Sequence, residues 1–200
     1  MPRRTTLAVA AVAVAAAVVA LVAVAGGGGK GLAPEAATGQ VELASSSVAV
    51  VPEAERPPLP AFAGRTLDGR EHDLASLRGH PLVLNFWASW CGPCRAEQEG
   101  LELASKTLAG KDVRMVGVNI RDDQGAATSY LEEFGVGYPS LFDRPAVLPA
   151  RLGALGPQAP PYTLVVDAQG RVAARVFGAL PGDRPEHQAA LLTDLVELVT

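Results

Sequence analysis

Cys91 and Cys94 are the residues whose type and spacing point most directly to chemistry, and they are the two cysteines of the chain. They flank Gly92 and Pro93 directly after an apolar run. If a helix starts here, its unpaired N–H groups and the positive end of its dipole stabilise a thiolate at Cys91. Pro93 suits the first turn, where no N–H is required, and Gly92 leaves the sulfur uncovered. Cys94 then lies one turn away and can attack a mixed disulfide at Cys91, so the motif predicts thiol-disulfide exchange.

Two other uses of the cysteine pair fit the sequence less well. A zinc site requires further ligands, and His72 and His80 lie at spacings that match no usual zinc finger. A purely structural disulfide across so short a loop would constrain little of the unfolded chain and would stabilise the fold only slightly. We therefore expect no metal and no cofactor beyond a redox-active Cys91–Cys94 disulfide.

A strand and a helix must hold these cysteines in place. Residues 82–87 are almost continuously apolar, which is typical of a strand covered on both faces. Residues 94–108 follow as a helix that ends at Gly110. Further strands are predicted at 113–120, 162–166 and 171–177, helices at 124–134 and 184–199, and a hairpin at 62–73. This order predicts an α/β fold in which helices flank a central mixed sheet.

The N-terminal quarter of the chain has a different composition. Residues 7–25 consist only of Ala, Val and Leu and follow Arg3 and Arg4. As a helix this run would be about 29 Å long, close to the hydrocarbon thickness of a bilayer. We predict a membrane anchor at 1–25 that leaves the rest of the chain outside the cytoplasm or, as the alternative, a signal peptide cleaved after Ala25. Gly, Ala and Ser predominate from 26 to 50, which predicts a flexible linker before one folded domain at 51–200.

The charged residues exclude one class of partner and predict no site of their own. At a formal net charge of −4, the chain has no basic excess with which to bind a phosphate backbone, so we expect no nucleic-acid partner. The Arg-Asp-Asp run at 121–123 is predicted to be a solvated loop after a strand.

The residues from Val83 to Arg95, which read Val-Leu-Asn-Phe-Trp-Ala-Ser-Trp-Cys-Gly-Pro-Cys-Arg, resemble the active-site segment of the TlpA/ResA-type thioredoxin-like proteins. The resemblance extends over residues 52–200. It implies a thioredoxin-like fold with a mixed sheet of four or five strands and an N-terminal β-hairpin. The family's inserted helix and strand would fall within residues 122–141. Proteins of this family are exported or membrane-tethered, and many are reductants in cytochrome c maturation.

The resemblance also implies a function and partners. The chain is expected to be an extracytoplasmic, membrane-tethered thiol-disulfide oxidoreductase that reduces protein disulfides, with Cys91 as nucleophile and Cys94 as resolving thiol. Its partners would be protein thiols or disulfides, among them apocytochrome c, and a membrane thiol-transfer protein would supply the electrons. Two alternatives stay open: a thiol peroxidase of the redoxin family, and a non-enzymatic module that carries thiols or metal to one apo-protein. The residues before Cys91 lack the Thr-x-x-Cys setting of a peroxidase, and stoichiometric transfer without turnover would identify a carrier.

Four further residues gain expected roles from the resemblance. Pro161 matches the family's cis-proline, which lies beside the cysteines and helps to present a substrate strand. Asn85 occupies the position at which cytoplasmic thioredoxins have a buried Asp, and an amide cannot take the proton of Cys94. Glu97, one turn after Cys94, is the nearest acidic candidate for that proton, but the sequence favours a solvated helix side chain over a catalytic one. Trp90 is expected to be a partly exposed platform for partners.

Overall fold

The structure, a computed structural model, describes residues 47–199, in which eight strands and four α-helices form. The strands are β1 (Val48–Val50), β2 (Ala63–Arg65), β3 (Glu71–Asp73), β4 (Leu82–Trp87), β5 (Arg114–Ile120), β6 (Ser140–Asp143), β7 (Tyr162–Val166) and β8 (Val172–Phe177). The helices are α1 (Gly92–Ala109), α2 (Gln124–Phe134), α3 (Val147–Leu152) and α4 (Pro185–Val199). None of these helices of the described part is long and apolar enough to cross a membrane. The anchor or signal peptide predicted at 1–25 lies outside the described residues.

Six of the strands form one mixed sheet in the order β1-β8-β7-β4-β5-β6. β4, β5 and β6 run parallel to one another, whereas β7 is antiparallel to both β4 and β8, and β1 is antiparallel to β8. The predicted α/β fold with a central mixed sheet is thus confirmed. The sheet is wider than the four or five strands that the resemblance implies, because β1 and the short β6 both extend it.

β1 comes from the stretch that composition assigns to the linker. Val48 pairs with Val176, and Val50 pairs with Ala174. A strand of three residues is too short to show a periodic pattern, and its Gly-, Ala- and Ser-rich surroundings conceal it. The described fold therefore includes residues 48–50, ahead of the domain start predicted at residue 51.

Apolar side chains pack on both faces of the sheet, as the continuous apolar run of β4 predicts. All six residues of β4 are buried. Val83 packs with Leu101 of α1 and Leu192 of α4 on one face. The next residue, Leu84, packs with Leu148 of α3 on the other face, because successive side chains of a strand point to opposite faces.

The strand ends at one edge of the sheet frame the beginning of α1. β4 ends at Trp87, shortly before the cysteine motif. Because β5 and β6 run parallel to β4, their C-terminal ends lie at the same edge. The antiparallel β7 starts at this edge, where its first residue, Tyr162, pairs with Phe86. The loops after β4, β5 and β6 and the loop before β7 therefore surround the cysteines.

The hairpin and the insertion that were expected are both present. β2 and β3 pair with Gly64 opposite His72. This hairpin lies against the edge of β6, where Thr66 forms a bridge with Leu141. α2 and β6 are the inserted helix and strand, and they occupy residues 124–143, where the resemblance implies 122–141.

Candidate active site

Cys91 and Cys94 are joined by a disulfide at the start of α1, with an S–S distance of 2.04 Å. Cys91 is the N-cap of the helix, and the main-chain N–H of Cys94 donates a hydrogen bond to its Sγ over 3.2 Å. Gly92 and Pro93 are exposed, whereas the two cysteines are only 3% and 1% exposed. The helix N-terminus directs its N–H groups at Cys91 and so stabilises a thiolate there once the disulfide is reduced.

Asp122, which the sequence pattern places in a solvated loop, is instead buried and holds the turn before Cys91. Its carboxylate accepts hydrogen bonds from the main-chain N–H of Ser89 at 2.5 Å and from the Ser89 hydroxyl at 2.8 Å. The side chain of Asn119 donates to it at 2.8 Å. Burial alone would raise the pKa of Asp122, but the hydrogen bonds from Asn119 and Ser89 lower it below its usual range. An ionised carboxylate therefore anchors the loop that carries Cys91.

The two tryptophans near the motif have different surroundings. Trp90 is 59% exposed, and its indole N–H donates to the main-chain carbonyl of Arg121 at 3.0 Å. The ring is thus held in one orientation directly before Cys91, and its part as a platform for partners stays a prediction. Trp87 is buried, donates from Nε1 to the Ser140 hydroxyl at 2.8 Å and stacks on Tyr130 with ring centroids 4.5 Å apart. Its place is in the core under the site.

Glu97 is fully buried, so the expectation of a solvated helix side chain is wrong. Its Oε1 accepts a hydrogen bond from Nδ2 of Asn85 at 3.0 Å, and its Oε2 accepts one from the main-chain N–H of Leu180 at 2.7 Å. Burial raises the pKa of Glu97 to about 7, although these two hydrogen bonds act in the opposite direction. Asn85, also fully buried, donates in addition to the Thr163 hydroxyl at 3.1 Å.

The spacing along α1 was the available signal for the burial of Glu97. The buried side chains of the helix recur every three or four residues, and they include Cys94, Glu97, Leu101, Ala104 and Leu108. Residues at such spacings share one helix face. Glu97 therefore lies on the buried face, one turn after Cys94.

Tyr130 on the inserted helix α2 is a site residue that the sequence did not reveal. Its hydroxyl lies 3.1 Å from the main-chain carbonyl of Cys94 and 3.2 Å from Oε1 of Gln98. Gln98 in turn donates to the hydroxyl of Tyr138 at 3.0 Å. Burial raises the pKa of Tyr130, so its hydroxyl stays a neutral donor that fixes the first turn of α1. This contact joins segments that are far apart in the chain, so no local sequence pattern predicts it.

Pro161 lies on the other side of the cysteine motif, directly before β7. The Pro160–Pro161 peptide bond is cis, in agreement with the resemblance. Because Tyr162 pairs with Phe86, Pro161 comes level with Trp87, the last residue of β4, at the edge where Cys91 lies. The part of Pro161 in presenting a substrate stays a prediction.

The two histidines considered as zinc ligands form no metal-binding group with the cysteines in the described part of the chain. His80 precedes β4 and is therefore at the opposite edge of the sheet, where its Nδ1 lies 2.8 Å from a carboxylate oxygen of Asp112. His72 lies in β3. Within residues 47–199, no group of three or more His, Cys, Asp and Glu side chains could hold a metal ion.

Comparison with known proteins identifies relatives of the chain. A family model described as Redoxin matches residues 54–191. The thiol:disulfide interchange protein DsbE of Yersinia pestis is 40% identical over 138 residues, which cover 67% of this chain and 69% of that protein. The thiol-disulfide oxidoreductase ResA of Geobacillus thermodenitrificans is 31% identical over 121 residues, or 60% of this chain and 68% of the relative. The chain thus matches about two thirds of the length of these relatives.

Among solved structures, a secreted thiol-disulfide isomerase from Corynebacterium glutamicum superposes with a TM-score of 0.68 at 27% identity. The match covers 87% of this chain and 99% of that protein.

Proposed function

The chain belongs to the Redoxin family, and we propose that it reduces disulfides in other proteins outside the cytoplasm with its Cys91–Cys94 pair. It is a thiol-disulfide oxidoreductase homologous to DsbE and ResA. The observation that carries the proposal is the disulfide at the N-terminus of α1, next to the exposed ring of Trp90 and one helical turn before the buried carboxyl of Glu97.

The reaction proceeds by two exchanges between sulfur atoms. In the reduced protein, the Cys91 thiolate attacks one sulfur of a substrate disulfide, and the other substrate sulfur leaves as a thiolate that takes up a proton. Cys94 then loses its proton and attacks Cys91, which releases the second substrate thiol. Two electrons pass to the substrate, and the protein is left with the Cys91–Cys94 disulfide seen at the start of α1.

Glu97 is the group that we assign to take the proton of Cys94. It follows Cys94 by three residues, so the two side chains lie on the same face of α1. Its pKa, raised by burial to about 7, lies nearer than that of an ordinary carboxyl to the value of about 8.5 for a free thiol. Proton transfer near neutral pH is correspondingly less unfavourable. Asn85 cannot accept a proton, but its amide N–H orients the carboxylate that does.

The substrates that we propose are protein disulfides, among them that of apocytochrome c. Sustained reduction also requires a dithiol donor, which we propose to be a membrane thiol-transfer protein. The apolar run at 7–25 behind Arg3 and Arg4 supports a single-pass anchor with the folded part outside the cytoplasm. The related protein of Corynebacterium glutamicum is described as secreted, which supports the same side of the membrane.

Trapping of the mixed disulfide tests the proposal. Cys94→Ala removes the resolving thiol, so protein substrates should stay bonded to Cys91 and migrate with the protein on non-reducing gels. Cys91→Ala is the control and should trap no partner. In fractionated cells, adducts in the membrane fraction are expected for an anchored chain, whereas adducts in the soluble extracytoplasmic fraction would indicate cleavage after Ala25. No Cys91-dependent adduct in either fraction would contradict the function.

The midpoint potential of the Cys91–Cys94 pair tests the direction of electron flow. Reducing members of the thioredoxin superfamily lie near about −270 mV and strongly oxidising ones near about −120 mV, and we expect a value at the reducing end. Equilibration with glutathione or dithiothreitol buffers measures it. A value near the oxidising end would reverse the proposed direction.

A further inference from the structure

Arg121 makes hydrogen bonds to the loops on both sides of the cysteine motif. Its main-chain carbonyl accepts from Nε1 of Trp90 at 3.0 Å. Its Nη1 donates to the main-chain carbonyl of Gln158 at 3.0 Å. Trp90 directly precedes Cys91, and Gln158 belongs to the loop that leads to Pro161 and β7. One residue of the β5–α2 loop therefore connects the two loops that flank the disulfide.

The main chain of Arg121 is itself held in place. Its N–H donates to the carbonyl of Arg144 at 3.2 Å, and the next residue, Asp122, bonds to Ser89. Its φ of 51° lies in the left-handed region, which residues other than glycine adopt only at a cost. Such a conformation persists where the surrounding bonds fix it. The carbonyl that accepts from Trp90 and the side chain that donates to Gln158 thus both belong to Arg121, whose main chain is fixed.

The loop at residues 157–160 has few other means of attachment. Pro157 and Pro160 have no main-chain N–H, and neither has Pro161 after them. Within the described part of the chain, the bond from Arg121 to Gln158 is the hydrogen bond that ties residues 157–160 to the rest of the protein. Without the Arg121 guanidinium, no hydrogen bond among the described residues would hold this loop at a fixed distance from Trp90.

We propose that Arg121 is a positioning residue that sets the width of the cleft between Trp90 and the Gln158 loop, and thereby the binding of polypeptide substrates across Cys91. The inference rests on the proposed function and takes a polypeptide substrate bound at Cys91 to lie between these two loops, which Arg121 connects. A disulfide too small to touch both loops does not need the cleft width to be fixed. Arg121 bonds to neither sulfur, so the exchange chemistry itself does not depend on it.

The test compares Arg121→Ala with the wild-type full chain, each reduced before mixing. The substrates are a synthetic peptide with an internal Cys-Ala-Ala-Cys-His disulfide, and oxidised glutathione. In stopped-flow single turnovers, Arg121→Ala should raise the half-saturation concentration for the peptide about tenfold, as expected for the loss of one charge-assisted hydrogen bond. The maximal rate, the midpoint potential and the rate with oxidised glutathione should not change. Arg121→Lys should restore part of the peptide affinity, because its ammonium can donate to the Gln158 carbonyl.

Arg144→Ala is the matched control. Arg144 is exposed at the same edge of the sheet, directly after β6, and its side chain makes no hydrogen bond or ion pair within residues 47–199. The variant removes the same charge without touching the Gln158 loop, so it should behave as wild type. Arg121→Gly, which suits the positive φ, repeats the test if alanine destabilises the loop.

Three outcomes would overturn the inference. The first is a wild-type half-saturation concentration for the peptide in Arg121→Ala. The second is an equal change with oxidised glutathione, and the third is an equal change in Arg144→Ala, which would assign the effect to charge. A wild-type protein that reduces neither substrate would contradict the proposed function instead, so the two failures are distinguishable.

Discussion

Glu97 and Asn85 form a buried polar pair next to the resolving cysteine. A carboxylate taken out of water is unfavourable unless hydrogen bonds replace its solvation. Here the two oxygens of Glu97 each receive one donor, from Asn85 and from the main chain of Leu180. Two neutral donors offset only part of the cost of burial, which is why the pKa of Glu97 rises to about 7 rather than falling.

The buried carboxyl predicts a pH dependence of stability. Because the pKa of Glu97 rises from its ordinary value of 4.5 to about 7, the folded protein binds this proton more tightly than the unfolded chain. The stabilisation is complete below pH 4.5 and is lost as the pH rises through 7, by about 3 kcal/mol in the free energy of unfolding. Glu97→Gln should lack this decline. Urea unfolding of the oxidised proteins between pH 4.5 and pH 8 measures it, since disulfide-bonded cysteines do not titrate.

Glu99→Gln is the control for this measurement, because Glu99 lies on the same helix but is exposed. The free energy of unfolding of Glu99→Gln should fall with rising pH as it does in wild type. If the free energy of unfolding falls with pH equally in wild type and in Glu97→Gln, Glu97 does not cause the pH dependence.

At the scale of residues, the sequence predicted what local geometry determines. The spacing of Cys91 and Cys94 suffices to place them at a helix N-terminus, because capping depends on neighbouring residues alone. The sequence could not show that Asp122 bonds to Ser89 or that Glu97 bonds to Leu180, because these donors come from other segments of the chain. The N–H that Glu97 binds belongs to Leu180, in the loop between β8 and α4.

At the scale of elements, Gly100 allows α1 and α4 to approach closely. A Cβ at this position would lie 2.5 Å from Oε1 and 2.7 Å from Cβ of Gln188, and 3.2 Å from the carbonyl of Pro185. Gln188 donates to the carbonyl of Leu180, whose N–H bonds to Glu97. The helix contact therefore also positions the loop that binds the buried carboxyl.

Gly100→Ala is expected to lower the free energy of unfolding by about 2 kcal/mol, measured by urea denaturation. Overpacking against Gln188 outweighs the gain of about 1 kcal/mol that alanine brings in a helix interior. Gly110→Ala is the matched control, since Gly110 has a right-handed φ of −69° and a Cβ there would meet nothing closer than 3.6 Å. It should be as stable as wild type or slightly more so. Equal stability of Gly100→Ala and wild type would disprove the close contact.

The elements whose bounds the sequence predicted well are the long ones. The strand at 82–87 and the helix at 124–134 have the bounds that the pattern gives, and α1 begins two residues before the predicted 94. β1 and α3, with three and six residues, were not predicted. So short a segment completes fewer than two periods of its pattern, and it forms because a neighbour pairs with it or covers it, as β8 pairs with β1.

At the scale of the whole described fold, the segment that follows β1 lies beside β8, and hydrogen bonds of the Arg56 side chain hold it there. The main-chain N–H of Val172 donates to the carbonyl of Pro57 at 2.8 Å, which lays this segment beside β8. Nη1 of Arg56 donates to a carboxylate oxygen of Asp167 and to the carbonyl of Val199, each at 3.2 Å. One guanidinium thus links the N-terminal segment, the β7–β8 turn and the end of α4.

The partner of Arg56 is a buried carboxylate with several donors. Asp167 is 2% exposed, and burial alone would raise its pKa. Hydrogen bonds from the main chain of Arg171 and from the side chains of Arg56 and Arg171 lower the pKa below its usual range instead. Asp167 therefore stays ionised at neutral pH, and its stabilising effect is lost as the pH falls.

Arg56→Met should lower the free energy of unfolding by about 2 kcal/mol at pH 7, because it removes one charged donor from a buried carboxylate while Arg171 remains. The exchange rate and midpoint potential should not change, because Asp167 follows β7 and so lies at the sheet edge opposite the cysteines. Arg65→Met is the control, since Arg65 pairs with Glu71 where both side chains are more than two thirds exposed, at 71% and 74%. An exposed pair contributes little, so Arg65→Met should unfold at the wild-type urea concentration. Equal losses in the two variants would mean that the buried ion pair of Arg56 stabilises the fold no more than the exposed ion pair of Arg65.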